Sequence, residues 1–175
     1  MTARERREQL LQILLASSAP VSATKLASQF DVSRQIIVGD IALLRAAGEQ
    51  IIATPRGYTM AQSRRTAGYL GSVACVHEDP EDMRRELNIM VDNGCTVVDV
   101  IVEHPVYGQI IGSLDISSRY DVSVFMEKIS SEQAQPLSAL TGGIHLHTLS
   151  CDGKETYDRT REELKRAGLL FDENS

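Results

Sequence analysis

The sequence predicts an α+β protein in which a winged helix-turn-helix precedes an α/β open-sheet regulatory domain. Two capped helices joined by a short turn, with a short hairpin after them, indicate the first domain over residues 1–62. Strand and helix patterns that alternate from 69 to 175 indicate the second domain. Between them, residues 63–68 are small, polar and basic, so we expect a linker there.

The two parts of the chain also carry opposite charge. Residues 1–66 hold nine Lys and Arg against five Asp and Glu, a net charge of +4. Residues 67–175 hold nine against nineteen, a net of −10, which together give the −6 of the whole chain. A basic first third suits contact with phosphate groups, whereas the acidic remainder does not.

The first two helices are predicted from apolar spacing and capping. Leu10, Ile13 and Leu14 recur at helical intervals, so we expect a helix over 4–16. Ser22 is placed to cap a second helix that runs to about Gln29. Apolar residues on either side of this cap have the spacing of a hydrophobic staple.

A third helix begins after Ser33, which repeats the capping pattern, and its end is marked by Gly48. Ile37, Ile41 and Leu44 form its apolar stripe at i, i+4 and i+7. A short hairpin is then predicted from strands over 51–53 and 57–60 around the turn residues 54–56. This hairpin is a wing beside the third helix.

The exposed start of the third helix and the tip of the wing are the candidate DNA contacts. Ser33, Arg34 and Gln35 lie opposite the apolar stripe, and Arg56 lies at the wing tip. Arg can bind guanine and Gln can bind adenine through paired hydrogen bonds in the major groove. The alternative is the solvated face of a protein-interaction domain. Gly39, in the middle of the helix, either permits close approach to DNA or has no such role.

The second domain is expected to be an open sheet with helices on one face. Its helices are predicted over about 80–92, 121–130 and 153–167, the first opened by Asp79 as cap and Pro80. Its strands are predicted over 70–77, 96–102, 109–115 and 143–149, with a short last strand over 169–171.

All four histidines lie in this second domain, and two of them are candidate metal ligands on a strand. His145 and His147 are two residues apart, so both rings project from one face. Glu86 borders the apolar stripe of the first helix, where a carboxylate needs a cation or strong donors, and His77 ends the preceding strand. With His104 as a further candidate, these side chains suit Zn²⁺, Ni²⁺ or Fe²⁺. The alternative is a set of hydrogen-bonded core histidines.

The remaining sequence features give weaker indications of function than the candidate metal ligands do. His104 and Tyr107 flank a turn between two predicted strands and are candidates for a small-molecule pocket. Cys75, Cys95 and Cys151 have no metal-binding spacing, so we expect reduced thiols. Cys75 is also a minor candidate for a position near a site, because it lies two residues before His77. No catalytic motif is present in the sequence. No segment has the length and apolarity of a membrane span or a signal peptide, so a cytoplasmic protein is expected.

Four stretches resemble a known family over nearly the whole chain. They are VSRQIIVGDIALLRAAG at 32–48, IIATPRGY at 51–58, VVDVIVEHPVYGQI at 97–110 and GGIHLHTL at 142–149. HPVYG together with GGIHLHT is far more specific than the helix-turn-helix alone. The chain therefore resembles the niacin-responsive transcriptional repressors, in which a winged helix-turn-helix is followed by a three-histidine (3H) domain.

The resemblance implies a homodimer that binds double-stranded operator DNA and represses niacin uptake or NAD-biosynthesis genes. It implies nicotinic acid as co-repressor and a divalent transition metal held by His77, Glu86, His145 and His147. His104 and Tyr107 remain the pocket candidates. Two alternatives stay open: a regulator for which the metal itself is the signal, and a metal-dependent enzyme fused to a DNA-binding domain.

Overall fold

The computed structural model describes residues 1–61 and 68–172. These residues form two compact units, one on each side of the gap. The predicted linker over 63–68 lies outside the described residues except for Gly68. Each unit has its own hydrophobic core, and the two cores share no residue.

The elements follow the predicted order closely. The first unit contains α1 (Ala3–Ala16), α2 (Ala23–Phe30), α3 (Arg34–Ala46), β1 (Ile51–Thr54) and β2 (Gly57–Met60). The second contains β3 (Tyr69–Val76), α4 (Pro80–Asp92), β4 (Thr96–His104), β5 (Gly108–Ile116), α5 (Arg119–Ser131), β6 (Ile144–Cys151) and α6 (Lys154–Arg166). Among the described residues, no helix is both long and apolar enough to cross a membrane.

Both predicted caps of the helix-turn-helix are present. The Ser22 hydroxyl accepts a hydrogen bond from the Lys25 N–H, and the Ser33 hydroxyl accepts one from the Ile36 N–H. Between the helices, Asp31 adopts a left-handed conformation that turns the chain. The core behind them is formed by apolar side chains from the three helices: Leu10, Leu14, Leu26, Phe30, Ile37, Ile41 and Leu44.

The wing is fixed to this core on two sides. Strands β1 and β2 pair antiparallel, and Val21 adds a bridge to Tyr58 on the outer edge of β2. At Gly57, φ is +138° and a Cβ atom would overlap the Val21 carbonyl, so only glycine fits. Arg45 of α3 donates to the Ile51 carbonyl at 2.8 Å, which ties the third helix to the wing.

A buried ion pair that the sequence pattern did not reveal joins α1 to α3. The Asp40 carboxylate is buried and accepts a hydrogen bond of 2.6 Å from Arg6 Nε. Arg7 approaches the other oxygen of the same carboxylate at 3.5 Å. Two of the basic residues ahead of the first apolar stripe therefore hold the helices together.

The second unit is built on a four-stranded sheet in the order β3-β6-β4-β5 with every neighbouring pair antiparallel. Burial alternates along β6, so one face of the sheet is covered and the other is more open. Side chains from α4, α5 and α6 pack with the covered face in a single core. This confirms the predicted open sheet.

Two details of this unit differ from expectation. A short 3₁₀ helix over Leu137–Thr141, which the sequence analysis did not predict, leads into β6. The predicted last strand over 169–171 is reduced to a single bridge between Leu170 and Cys75. Two further backbone hydrogen bonds, from Val76 N–H to Leu169 and from Phe171 N–H to Ala74, hold this segment against β3.

The expectation of three reduced thiols is wrong for two of them. The structure pairs Cys95 and Cys151 as a disulfide, and only Cys75 is a free thiol among the described residues. Thr96 and Ser150 are partners in the β4–β6 register, so the residues just beyond them meet across the strands. Because 56 positions separate the two cysteines, their spacing in the sequence gave no indication of this contact.

Candidate metal centre and DNA-binding surface

Three imidazole rings converge on one carboxylate inside the second unit. The carboxylate is that of Glu86, which is 0% exposed although it belongs to a helix with many charged residues. His77, His145 and His147 surround it, and all three are buried. The four residues proposed from the sequence as a set are therefore brought together.

Each imidazole presents its Nε2 atom to the carboxylate. His77 Nε2 contacts Glu86 Oε2, and His145 Nε2 lies 3.1 Å from Oε1 and 3.3 Å from Oε2. His147 Nε2 lies 3.5 Å from Oε1. The rings stand edge to face, with centroids 4.7 Å apart for His77 and His145 and 4.9 Å apart for His145 and His147. Four donor atoms thus point into one small volume.

Strand register and helix phase place these side chains. His145 and His147 occupy the buried face of β6, as their spacing predicted. The buried stripe of α4 includes Met83, Glu86, Leu87 and Met90, so the Glu86 carboxylate is directed toward the buried face of the sheet that carries the two histidines. His77 comes directly after β3, beside the start of β6.

Gly143 fixes the two histidines nearest to it. Its carbonyl oxygen accepts hydrogen bonds from the His77 backbone N–H at 3.3 Å and from His145 Nδ1 at 2.8 Å. The glycine has φ +91°, and a Cβ atom there would lie 2.5 Å from the His77 carbonyl oxygen. The second glycine of the GGIHLHT motif is therefore required by close backbone approach.

Backbone carbonyls also determine which nitrogen of each ring is available. His147 Nδ1 lies 2.7 Å from the Asp99 carbonyl oxygen, next to the register shift in β4. Since a carbonyl only accepts, Nδ1 of His145 and of His147 must carry a hydrogen. In the neutral rings Nε2 then has a lone pair directed at Glu86, which is the tautomer that binds a metal through Nε2.

The charges of the cluster are strongly coupled. Burial raises the pKa of Glu86, but the imidazoles of His147, His145 and His77 lower it more, so its pKa lies well below the ordinary value. Burial lowers the pKa of His145, but the hydrogen bond and charge of Glu86 raise it to above its ordinary 6.5. The carboxylate is therefore held ionised by the imidazoles around it.

The donor set fits a divalent transition metal. Neutral imidazoles would turn lone pairs toward a carboxylate, an arrangement that is unfavourable unless a proton or a cation lies between them. Three imidazoles and one carboxylate are ligands typical of Zn²⁺, Ni²⁺ or Fe²⁺. The hydrogen bonds from Nδ1 to the carbonyls of Gly143 and Asp99 are the outer contacts that metal-binding histidines commonly have.

A fifth residue, Cys75, lies at the same cluster and was missing from the proposed set. Its Sγ atom, a Glu86 oxygen and a His145 nitrogen all lie within 4.8 Å of one another. Burial and the negative charge of Glu86 raise the pKa of this thiol. The sequence did contain an indication, because Cys75 and His77 are two residues apart and a strand directs such a pair to one face.

His104 and Tyr107 lie elsewhere: His104 is the last residue of β4, and Tyr107 lies in the turn between β4 and β5. His104 Nδ1 accepts backbone hydrogen bonds from Val106 at 3.1 Å and Tyr107 at 3.3 Å. The two rings contact each other with centroids 5.0 Å apart, and Tyr107 is 77% exposed. Ile101 pairs with Leu146, so this turn lies at the end of the sheet where β6 begins.

The proposed DNA contacts lie at the exposed start of α3 and in the turn of the wing. Ser33 caps the helix, and Arg34 and Gln35 form its first turn with exposed side chains. Gly39 is also exposed, and a Cβ atom there would meet nothing within 4 Å. Arg56 is half-buried in the turn between β1 and β2. This arrangement is that of a winged helix-turn-helix.

Comparison with known proteins agrees with both units. The 3H domain family matches residues 71–173, and an HTH domain family matches residues 6–59. The chain is 45% identical over 170 residues to the probable transcription repressor NiaR of Thermotoga maritima, covering 97% of this chain and 95% of that protein. It is 43% identical over 170 residues to the transcription repressor NadR of Bacillus subtilis, covering 95% of this chain and 93% of that protein.

Proposed function

This chain belongs to the family of NiaR- and NadR-type transcription repressors, which join an HTH domain to a 3H domain, and from that premise we propose its target genes, location, ligands and mode of action. It represses niacin uptake or NAD-biosynthesis genes in the cytoplasm, with nicotinic acid as co-repressor. A divalent transition metal is part of its second unit. It acts as a regulator and not as an enzyme.

The DNA part of the proposal is supported by the first unit. Arg34 and Gln35 stand at the exposed start of α3, the part of a recognition helix that reaches base edges in the major groove. Arg56, in the turn of the wing, would contact the DNA beside this helix. As a homodimer, the protein would present two such helices to operator half-sites one or more DNA turns apart.

The convergence of three imidazole Nε2 atoms on the buried Glu86 carboxylate is the observation that carries the metal proposal. His77, Glu86, His145 and His147 would hold the ion, and Gly143 and Asp99 would orient two of the rings. The bound ion would supply positive charge and open coordination positions for the carboxylate or ring nitrogen of nicotinic acid. His104 and Tyr107 remain candidates for contacts to the pyridine ring.

Co-repression requires that nicotinic acid bind one arrangement of the dimer more tightly than another. A ligand with equal affinity for both arrangements would not change the equilibrium between them, however tightly it bound. The favoured arrangement is the one whose two recognition helices match the operator. Both ligand and operator then stabilise the same state, so each raises the affinity for the other by the same factor.

Calorimetry with nicotinic acid and nicotinamide, on metal-loaded and metal-free protein, tests this proposal. We expect heat of binding for nicotinic acid with metal-loaded protein and none with the metal-free form. A heat signal that persists in the His145→Ala, His147→Ala double variant would separate the effector from this site.

Operator binding is a second test. A DNA duplex that the wild-type protein selects from a random pool serves as operator probe, and the affinity of the protein for this duplex should rise with nicotinic acid. Equal affinity with and without the acid would refute co-repression.

The donor cluster itself favours a second candidate, in which the metal alone is the signal. Its four ligands complete a metal site without any contribution from a small molecule. Removing and restoring the metal at a fixed concentration of nicotinic acid separates the two candidates. DNA affinity that follows the metal with no nicotinic acid present would favour the metal sensor, whereas a requirement for both favours the niacin regulator.

A further inference from the structure

We propose that the Cys75 thiolate is an additional ligand of the metal, so the centre contains one sulfur donor beside its imidazoles and carboxylate. This inference rests on the metal centre proposed above. It concerns a residue of this chain that the motif-based set of ligands does not include.

Strand pairing brings the thiol to the cluster. Cys75 is the direct partner of His145 in the β3–β6 register, and paired residues project from the same face of a sheet. Val73 and His147 form the next pair on that face. Cys75 therefore occupies, on β3, the position that corresponds to the first histidine on β6.

The separations between these donor atoms suit a shared ion. Cys75 Sγ, a Glu86 oxygen and a His145 nitrogen all lie within 4.8 Å of one another. Around a five-coordinate Zn²⁺, with Zn–S near 2.3 Å and Zn–N near 2.0 Å, neighbouring sulfur and nitrogen ligands are about 3.0 to 3.7 Å apart. Small side-chain movements would bring the three atoms to that spacing.

The alternative for Cys75 is an ordinary buried thiol packed as a small apolar side chain. The residue is 0% exposed and contacts the hydrophobic core on one side. Its sulfur, however, lies near an ionised carboxylate and an imidazole, which are polar neighbours that such a packing position does not require. Without an ion the carboxylate disfavours a thiolate, whereas a shared divalent cation would stabilise both anions, so their proximity favours the ligand role.

A thiolate would determine which ions the site prefers. Sulfur is a soft donor and selects Zn²⁺, Co²⁺, Ni²⁺ or Fe²⁺ over Mn²⁺ or Mg²⁺. We expect Cys75→Ser to weaken Co²⁺ or Zn²⁺ binding by roughly tenfold or more, the lower end of the losses seen when even an outer contact of a metal site is removed. Mn²⁺ affinity should change much less.

Absorption spectra of the Co²⁺-loaded full-length protein test the assignment without any measure of repression. A thiolate ligand gives an intense sulfur-to-cobalt charge-transfer band in the near ultraviolet, in addition to the visible ligand-field bands. We expect the wild-type protein to show this band and Cys75→Ser to lose it while keeping ligand-field bands. Met83→Leu is the matched control. Met83, on α4, is also a buried sulfur-containing residue, and its variant should keep the band.

X-ray absorption of the Zn²⁺-loaded wild-type protein keeps the test decisive if the serine variant does not fold. One sulfur at about 2.3 Å from zinc supports the inference, and a shell of nitrogen and oxygen alone overturns it. Cobalt that binds with ligand-field bands but no charge-transfer band also overturns the role of Cys75 and leaves the metal centre standing. Failure of both ions to bind overturns the metal centre and the Cys75 role together.

Discussion

At the scale of single residues, backbone carbonyls determine the chemistry of the candidate metal centre. Nδ1 of His145 is directed at the Gly143 carbonyl and Nδ1 of His147 at the Asp99 carbonyl. Each ring is thereby held with Nε2 toward Glu86. The rings do not need to reorient to accept a cation, so the fold itself prepares the ligands.

Glu86→Gln should abolish most of the metal affinity while leaving the fold intact. The amide has nearly the same shape as the carboxylate but carries no charge, so the three imidazoles lose their anionic partner. We expect a decrease well beyond the 10–100-fold typical of an outer contact, measured by calorimetry with Zn²⁺ or Ni²⁺. Glu78→Gln, at an exposed acid nearby in the sequence, is the control and should bind as the wild type does. Wild-type affinity in Glu86→Gln would exclude this carboxylate as a ligand.

The metal-free protein should lose stability as pH rises above neutrality. The folded-state pKa of His145 is raised above its ordinary 6.5, so the folded state binds protons more tightly than the unfolded state does. The resulting stabilisation is fully present below pH 6.5 and is lost as pH rises through the folded-state pKa. For Glu86 the pKa is lowered from 4.5, so its stabilisation is lost as pH falls below that value.

Urea unfolding of the chelated protein across this pH range measures both effects. We expect the greatest stability between about pH 4.5 and 6.5, the ordinary values for the two groups. Above pH 6.5 metal affinity should instead rise with pH, because a protonated imidazole cannot bind a metal and the imidazoles lose their protons there. His145→Gln should flatten the decline above pH 6.5. If the stability of the metal-free protein instead rose with pH above 6.5, this would contradict the coupling between His145 and Glu86.

At the scale of elements, the sequence predicted most of what local pattern controls. The caps at Ser22, Ser33 and Asp79 and the apolar stripes of the helices depend on neighbouring residues, and each was found as expected. Glu86 could be selected because helix phase alone places it in the buried stripe. Strand spacing and position had already supplied His77, His145 and His147 as candidate partners, and family resemblance then selected these four ligands and supplied nicotinic acid as the effector.

Features that depend on distant pairing could not be predicted in this way. The disulfide between Cys95 and Cys151 and the pairing of Cys75 with His145 follow from strand order, and the spacing of Cys75 and His77 indicated only that these two residues share a face. The ion pair between Arg6 and Asp40 joins residues 34 positions apart in the same way. Long-range register, and not residue chemistry, was the missing information.

Gly143→Ala should disrupt the metal centre, whereas Gly142→Ala should not. At Gly143 the new Cβ would lie 2.5 Å from the His77 carbonyl oxygen, so the start of β6 must move away from His77. At Gly142, with φ +62°, nothing lies within 4 Å, so the cost is only the left-handed strain of about 1–2 kcal/mol. Zn²⁺ calorimetry and urea unfolding on both variants measure the difference. Equal metal affinity in the two variants would show that the Gly143 contact does not position the histidines.

Arg34→Ala should weaken binding to the selected DNA duplex without destabilising α3. Arg34 is exposed and Ser33 supplies the cap, so the helix keeps its N-terminal hydrogen bond. Loss of a base contact should cost about 1–3 kcal/mol and relax the preference at one base position. Fluorescence anisotropy against single-base variants of the duplex measures both. Arg84→Ala, on a helix of the second unit, is the control, and equal losses in the two variants would exclude a specific role for Arg34.

At the scale of the whole molecule, the two units have separate cores, so metal should stabilise them unequally. Ligand binding to the folded state adds about 2.7 kcal/mol when the free metal is at 100 times its Kd. In scanning calorimetry with and without a chelator, metal should therefore raise the unfolding temperature of the second unit and leave that of the first unit unchanged. The Glu86→Gln variant should show no shift. Equal shifts of both transitions would indicate that the units unfold together.

The position of β6 has a consequence for how the protein is made. Among the described strands it comes last along the chain, yet it lies between β3 and β4 in the sheet. During synthesis the β4–β5 hairpin can pair early, but β3 has no partner strand until β6 leaves the ribosome and inserts beside it. The side chains of the candidate metal centre, which lie on α4, on β6 and at the end of β3, therefore come together only when β6 has inserted.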